Sequence, residues 1–98
     1  DKYVGGVEIK CPSSKKHIEY IRTNKVPNEY KYQILSYFIN CEDLEYVDFI
    51  SYDDRVTFKP MNIVRVTRLE WADMIEETVA GINKFNEKRE KYFKQITE

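Results

Sequence analysis

Ninety-eight residues, 42% of them hydrophobic and 14% aromatic, suit one small globular domain spanning residues 1–98. Sixteen basic and seventeen acidic residues give a net charge of −1. No global field therefore draws the chain onto nucleic acid, and any such contact has to come from a local patch. The two cysteines, Cys11 and Cys41, are too far apart for a Cys-x-x-Cys site; they read as reduced core residues of a cytoplasmic protein, which excludes a four-cysteine iron–sulphur cluster. His17 is the single histidine, so neither a histidine metal cluster nor a nucleophilic triad can be assembled, and it reads as a helix-surface residue near the candidate site. No signal peptide or long apolar span appears, so a membrane is not an expected partner.

In chain order the pattern reads βααββα. Gly6 to Cys11 alternates as a strand, entered through Gly5 and Gly6, which suits positive φ or a close backbone approach, and closed by Pro12. Val7, Ile9 and Cys11 form its core-facing set. Ser13 or Ser14 caps a helix running to about Thr23 with Ile18 and Ile21 inward. After a break over Asn24 to Pro27, a second helix from about Asn28 carries Tyr30, Gln33, Ile34, Tyr37, Phe38 and Cys41 at intervals of three and four. Tyr46 to Tyr52 is a strand, Asp53-Asp54 a turn, and Asn62 to Leu69 another strand with Val64 and Val66 opposite Arg65 and Thr67. The last helix repeats apolar residues from Trp71 through Met74, Ile75, Val79, Ile82, Phe85, Tyr92, Phe93 and Ile96.

The chemistry concentrates in Gly6-Val7-Glu8-Ile9-Lys10-Cys11-Pro12. Residues two apart on a strand share a face, so Glu8 and Lys10 project together. A carboxylate is a hard oxygen ligand suited to Mg²⁺, and a neighbouring ammonium can position water or neutralise charge on a phosphate. A bare Glu-x-Lys is also a common solvated ion pair. On the second helix, Gln33 and Tyr37 stand one turn apart with Tyr30 one turn before, which suits an aromatic core stripe as well as a site. Ser13, Ser14, Lys15 and Lys16 form a first helical turn that is either solvated or offered to a phosphate. Arg55 either binds a phosphate or closes a turn tied by carboxylates. The lysine-rich final helix reads as an ion-paired, solvated face, with DNA or partner binding as the lesser alternative.

Three blocks, GGVEIKCPSSKKHIEY, VPNEYKYQILSYF and YVDFISYDDR, taken together resemble the catalytic part of the YqaJ-type viral recombinases, the lambda exonuclease-like branch of the PD-(D/E)xK nucleases. The resemblance spans about Gly5 to Arg55. It implies an α/β fold, a mixed sheet flanked by helices with a restriction-endonuclease-like core that is N-terminally incomplete here. It also implies a Mg²⁺- or Mn²⁺-dependent deoxyribonuclease resecting the 5′ strand of linear double-stranded DNA in phage or prophage recombination, located in the bacterial cytoplasm. A single-strand annealing protein and a homotrimer are the implied partners. By the same resemblance Glu8 and the Ile9 backbone carbonyl bind metal, and Lys10 and Gln33 complete the catalytic set. Tyr30, Tyr37, Ser13, Lys15 and Arg55 then contact DNA. The family's motif aspartate has no counterpart, since Asp1 stands too close to Glu8 and follows no proline, so these residues read as the C-terminal part of a nuclease domain, inactive alone. The rival readings are a non-catalytic DNA- or partner-binding module on the same scaffold, and a repair endonuclease of the same superfamily.

Overall fold

The computed structural model describes residues 4–97, the side chains of 95–97 excepted; Asp1 and the Ile96 side chain lie outside that description. The element order is β1 Val4–Lys10, α1 Ser14–Thr23, α2 Asn28–Asn40, β2 Leu44–Tyr52, β3 Met61–Thr67 and α3 Ala72–Thr97. The expected order of elements is thus the observed one, with strand ends shifted by one or two residues. The three strands form one mixed sheet in the order β1-β2-β3. β1 runs parallel to β2, through the two-helix crossover, and β3 returns antiparallel to β2. A parallel pair needs such a crossover, and two short helices provide it.

The register decides which residues share the helix-covered face. Gly6, Glu8 and Lys10 pair with Val47, Phe49 and Ser51, and these pair with Val66, Val64 and Asn62. Val47, Phe49 and Val66 are buried there with Tyr20, Val26, Ile34, Leu35, Phe38, Leu44 and Trp71. Aromatic edges close the layer, Tyr20 on Phe49 at 6.1 Å and Phe38 against Trp71 at 6.3 Å between ring centroids. Glu8 and Lys10 therefore lie on the same side of the sheet as the core, at its β1 end.

This reverses one expectation. Val7 and Ile9 are 58% and 61% exposed, and Cys11 is exposed with them. Among the described residues nothing covers the opposite sheet face, where Tyr52, Met61 and Ile63 are also exposed. Cys41 is likewise exposed, a free thiol at the end of α2 and not a core residue. Ile18 points to solvent and Ile21 is half-buried; α1 presents His17 and Tyr20 to the interior instead. The final helix packs through Met74 and Ile75, whereas Ile82, Phe85, Tyr92 and Phe93 are exposed along its projecting part. At about 1.5 Å per residue it outruns the small body beneath it.

Local chemistry explains the joints. Ser13 caps α1 by accepting the Lys16 amide, and Asn24 ends it in the left-handed region at φ 50°, which asparagine tolerates. Pro27 precedes α2 with its ring already set for the turn. The Arg68 guanidinium donates to the carbonyls of Phe38, Cys41 and Leu44, satisfying acceptors at the end of α2 and complementing its dipole. Gly5 suits a close approach by a side chain and not a special backbone angle: its φ is not positive, and a Cβ there would clash with the hydroxyl end of the Tyr46 ring, which would have to shift.

Candidate active site

The site begins with the parallel pairing of β1 on β2, which sets Glu8 and Lys10 at the sheet edge under α2. The Lys10 ammonium lies 3.0 Å from Glu8 Oε1. From α2, the Tyr37 hydroxyl donates to Glu8 Oε2 at 2.7 Å, and the Gln33 amide donates to the Tyr37 oxygen at 3.1 Å. Lys10 Nζ also stands 4.6 Å from the centroid of the Tyr30 ring, a cation–π contact. Tyr30 is fixed in turn by Phe49 at 5.5 Å. One helical face with residues at 30, 33 and 37 thus meets one strand face with residues at 8 and 10.

The electrostatics follow from these contacts. The Tyr37 hydrogen bond and the Lys10 ammonium hold the Glu8 carboxyl below its ordinary value. Glu8 in turn raises the Lys10 ammonium and the Tyr37 phenol above theirs. Glu8 is an ionised acceptor at neutral pH, and its two oxygens already face a cation and a hydroxyl donor.

Gln33 reaches Glu8 only through Tyr37, so its contact with the motif strand is indirect. Ser13, Lys15 and Arg55 belong to a neighbouring cluster at the start of α1. Ser13 and Lys15 are exposed. Ser14 donates to Asp53 Oδ2 at 2.5 Å, and the Arg55 side chain holds both Asp53 oxygens at 2.8 and 3.3 Å. These bonds keep the buried Asp53 carboxyl far below the usual range. Arg55 therefore closes a turn tied by a carboxylate while its side chain remains 68% exposed. Asp48 lies on the bare face of the sheet, bound by Arg65 at 2.7 and 2.9 Å, and so contributes nothing to the Glu8 side.

His17 overturns its expected place. It is wholly buried, with Nδ1 2.6 Å from Ser51 Oγ and Nε2 2.8 Å from the Lys59 carbonyl. Its partners are 34 and 42 residues away, so no local pattern marks them. The available signal was the spacing of Ser14, His17 and Tyr20 against the alternation of Phe49, Ser51 and Asp53.

A hard divalent cation takes oxygen donors, and Glu8 with the adjacent backbone is of that kind. It is a single carboxylate, and the described residues gather no group of three or more His, Cys, Asp or Glu side chains that could hold a metal. The described residues thus offer one carboxylate ligand and no complete metal site. Among them no helix is long and apolar enough to cross a membrane.

No protein-family model matches the chain, and no curated protein matches it in sequence. Solved structures do. An alkaline exonuclease from Laribacter hongkongensis, LHK-Exo, is 33% identical over 94% of this chain with a TM-score of 0.68. The same exonuclease in complex with dAMP matches at 33% identity over 93% of this chain with a TM-score of 0.66. Agreement in both fold and a third of the residues supports the assignment of the chain to the lambda exonuclease-like nucleases. The chain spans about half the length of the chains it matches, 47% and 48%.

Proposed function

We propose that this chain is the part of a DNA exonuclease that carries the Glu-x-Lys half of the active site. The observation that carries the reading is the Gln33–Tyr37–Glu8–Lys10 chain of contacts, in a fold similar to that of an alkaline exonuclease. The dAMP bound by that neighbour fits a substrate built of deoxynucleotides, here double-stranded DNA.

In this reading Glu8 and the Ile9 carbonyl hold Mg²⁺ or Mn²⁺, together with a carboxylate supplied from elsewhere. Bound there, the ion supplies Lewis-acid polarisation of the phosphodiester. Lys10 orients the attacking water beside the phosphate and offsets the negative charge that develops on it. Tyr37 keeps Glu8 ionised and aimed, and Gln33 holds the Tyr37 oxygen. Tyr30 and Tyr37 present the helix face along which the DNA backbone runs, with Ser13, Lys15 and Arg55 beyond it at the start of α1. The resemblance alone extends the proposal to 5′-strand resection in phage or prophage recombination within a bacterial cytoplasm, with an annealing protein as partner and a homotrimer as the assembly.

The test is digestion of linear and of covalently closed circular duplex DNA by the complete protein with Mg²⁺. An exonuclease degrades the linear form and spares the circle. Cutting of the circle would instead make it an endonuclease, and binding without cleavage a non-catalytic module.

A further inference from the structure

Helix α1 meets β2 through a ladder of three contacts. Ser14, His17 and Tyr20, spaced by three on the helix, meet Asp53, just past the end of β2, and Ser51 and Phe49 on the strand, spaced by two along the chain. The lowest rung is aromatic and the two upper rungs are polar. They lie where β1 leaves the sheet: Ser51 is the register partner of Lys10, and α1 begins only four residues beyond Lys10.

The protons of the middle rung follow from its partners. A carbonyl only accepts, so His17 Nε2 carries a hydrogen and donates it to Lys59. In the neutral ring Nδ1 then accepts from the Ser51 hydroxyl. Every ring position is used, and among the described residues no buried side-chain polar atom lacks a partner. Burying an imidazole and a hydroxyl gains little stability over a well-packed apolar pair. What it does gain is fixed geometry, because a satisfied buried network permits one arrangement of the elements it joins. Those elements are α1, the Lys10-bearing end of the β1–β2 pair, and the loop that enters β3.

The geometry points to His17, acting with Ser51, as a positioning residue for Lys10: the buried imidazole locks the strand end from which the ammonium reaches Glu8 and the phosphate. This assignment rests on the nuclease reading above. His17 touches neither Glu8 nor the substrate path and acts through the backbone register of Lys10. A misplacement of about 1 Å at a reacting group costs up to about a hundredfold in rate, which sets the scale of the effect.

The test is a double-mutant cycle in the complete enzyme on linear duplex DNA with Mg²⁺. His17→Leu keeps the volume and removes both hydrogen bonds. The expected result is a fall in kcat of about ten- to hundredfold with DNA affinity within about twofold. In a Lys10→Ala background, His17→Leu should cost nothing further, because the residue it positions is gone. His17→Asn, whose side-chain oxygen can still accept from Ser51, should recover part of the rate. Ser51→Ala carries the same expectation and replaces His17→Leu if that variant does not fold. Equal cost of His17→Leu in the parental and the Lys10→Ala backgrounds would overturn the proposal, as would a rate loss that merely follows the loss of folded protein. A Lys10→Ala enzyme that cleaves at the parental rate would sink the nuclease mechanism itself, a distinct outcome.

Discussion

The Tyr37 hydroxyl sits 2.7 Å from Glu8 Oε2 and is the one side-chain hydrogen bond between α2 and β1 among the described residues. It makes the helix and the motif strand one unit. Tyr37→Phe removes it without changing the ring's packing. The expected loss is about 1 kcal/mol of stability, below the roughly 1.5–3 kcal/mol of a bond to a charged group because solvent screens this partly exposed one, read from urea unfolding. The Glu8 carboxyl should also titrate higher, because its largest stabilising contact is gone; carboxyl NMR titration reads this directly. An unchanged Glu8 titration would mean that the phenol does not face the carboxylate in solution.

Acid stability should depend on Asp53. Its carboxyl is held far below the usual aspartate value of about 3.9 by Arg55 and Ser14. A depressed folded value means stability that is fully present above about pH 4 and is lost as pH falls toward the folded value. Glu8 and Asp48, lowered by Tyr37 with Lys10 and by Arg65 respectively, add to the same limb. Thermal midpoints measured from pH 7 to pH 2 should fall below pH 4 in the parent. Asp53→Asn should start lower at pH 7 and fall less steeply. Parallel curves for the two proteins would show that the Asp53 cluster contributes nothing.

The bare face of the sheet predicts how these residues behave alone. Val7 and Ile9 on the edge strand β1, and Met61 and Ile63 on β3 across β2, leave that face with exposed apolar side chains, and such surface drives association. Sedimentation of the purified 98 residues should show concentration-dependent self-association. Ile9→Ser with Ile63→Ser should reduce it while leaving the fold intact, since neither side chain is buried. A monomer at all concentrations would contradict this.

Much of the element order is legible because period-two and three-to-four spacings are local properties. Glu8 and Lys10 share a face for that reason, and Tyr30, Gln33 and Tyr37 share another. Alternation alone, however, separates two strand faces without saying which one the helices cover. Hydrophobicity points Val7 and Ile9 inward, yet the crossover lays α1 and α2 over the Glu8 and Lys10 side. His17 and Arg68 are illegible for a different reason. Each is defined by partners at least 24 residues away, and only the assembled sheet brings those partners within reach.

Metal binding by these residues alone should be weak, since they offer one carboxylate where Mg²⁺ and Mn²⁺ prefer near-octahedral oxygen coordination. Calorimetry with Mn²⁺ should give little heat for the 98-residue chain and none for its Glu8→Ala variant. Tight binding that survives Glu8→Ala would place the metal elsewhere.

The most direct measurement is the rate of linear duplex DNA digestion by the complete enzyme and by its Lys10→Ala variant, with folding and DNA affinity measured in parallel. Lys10 is partly exposed at the sheet edge and contributes more to the transition state than to stability. The account predicts cleavage lowered by orders of magnitude, with the thermal midpoint and DNA affinity nearly unchanged. Cleavage at the parental rate would contradict it and reduce Glu8 and Lys10 to a surface ion pair.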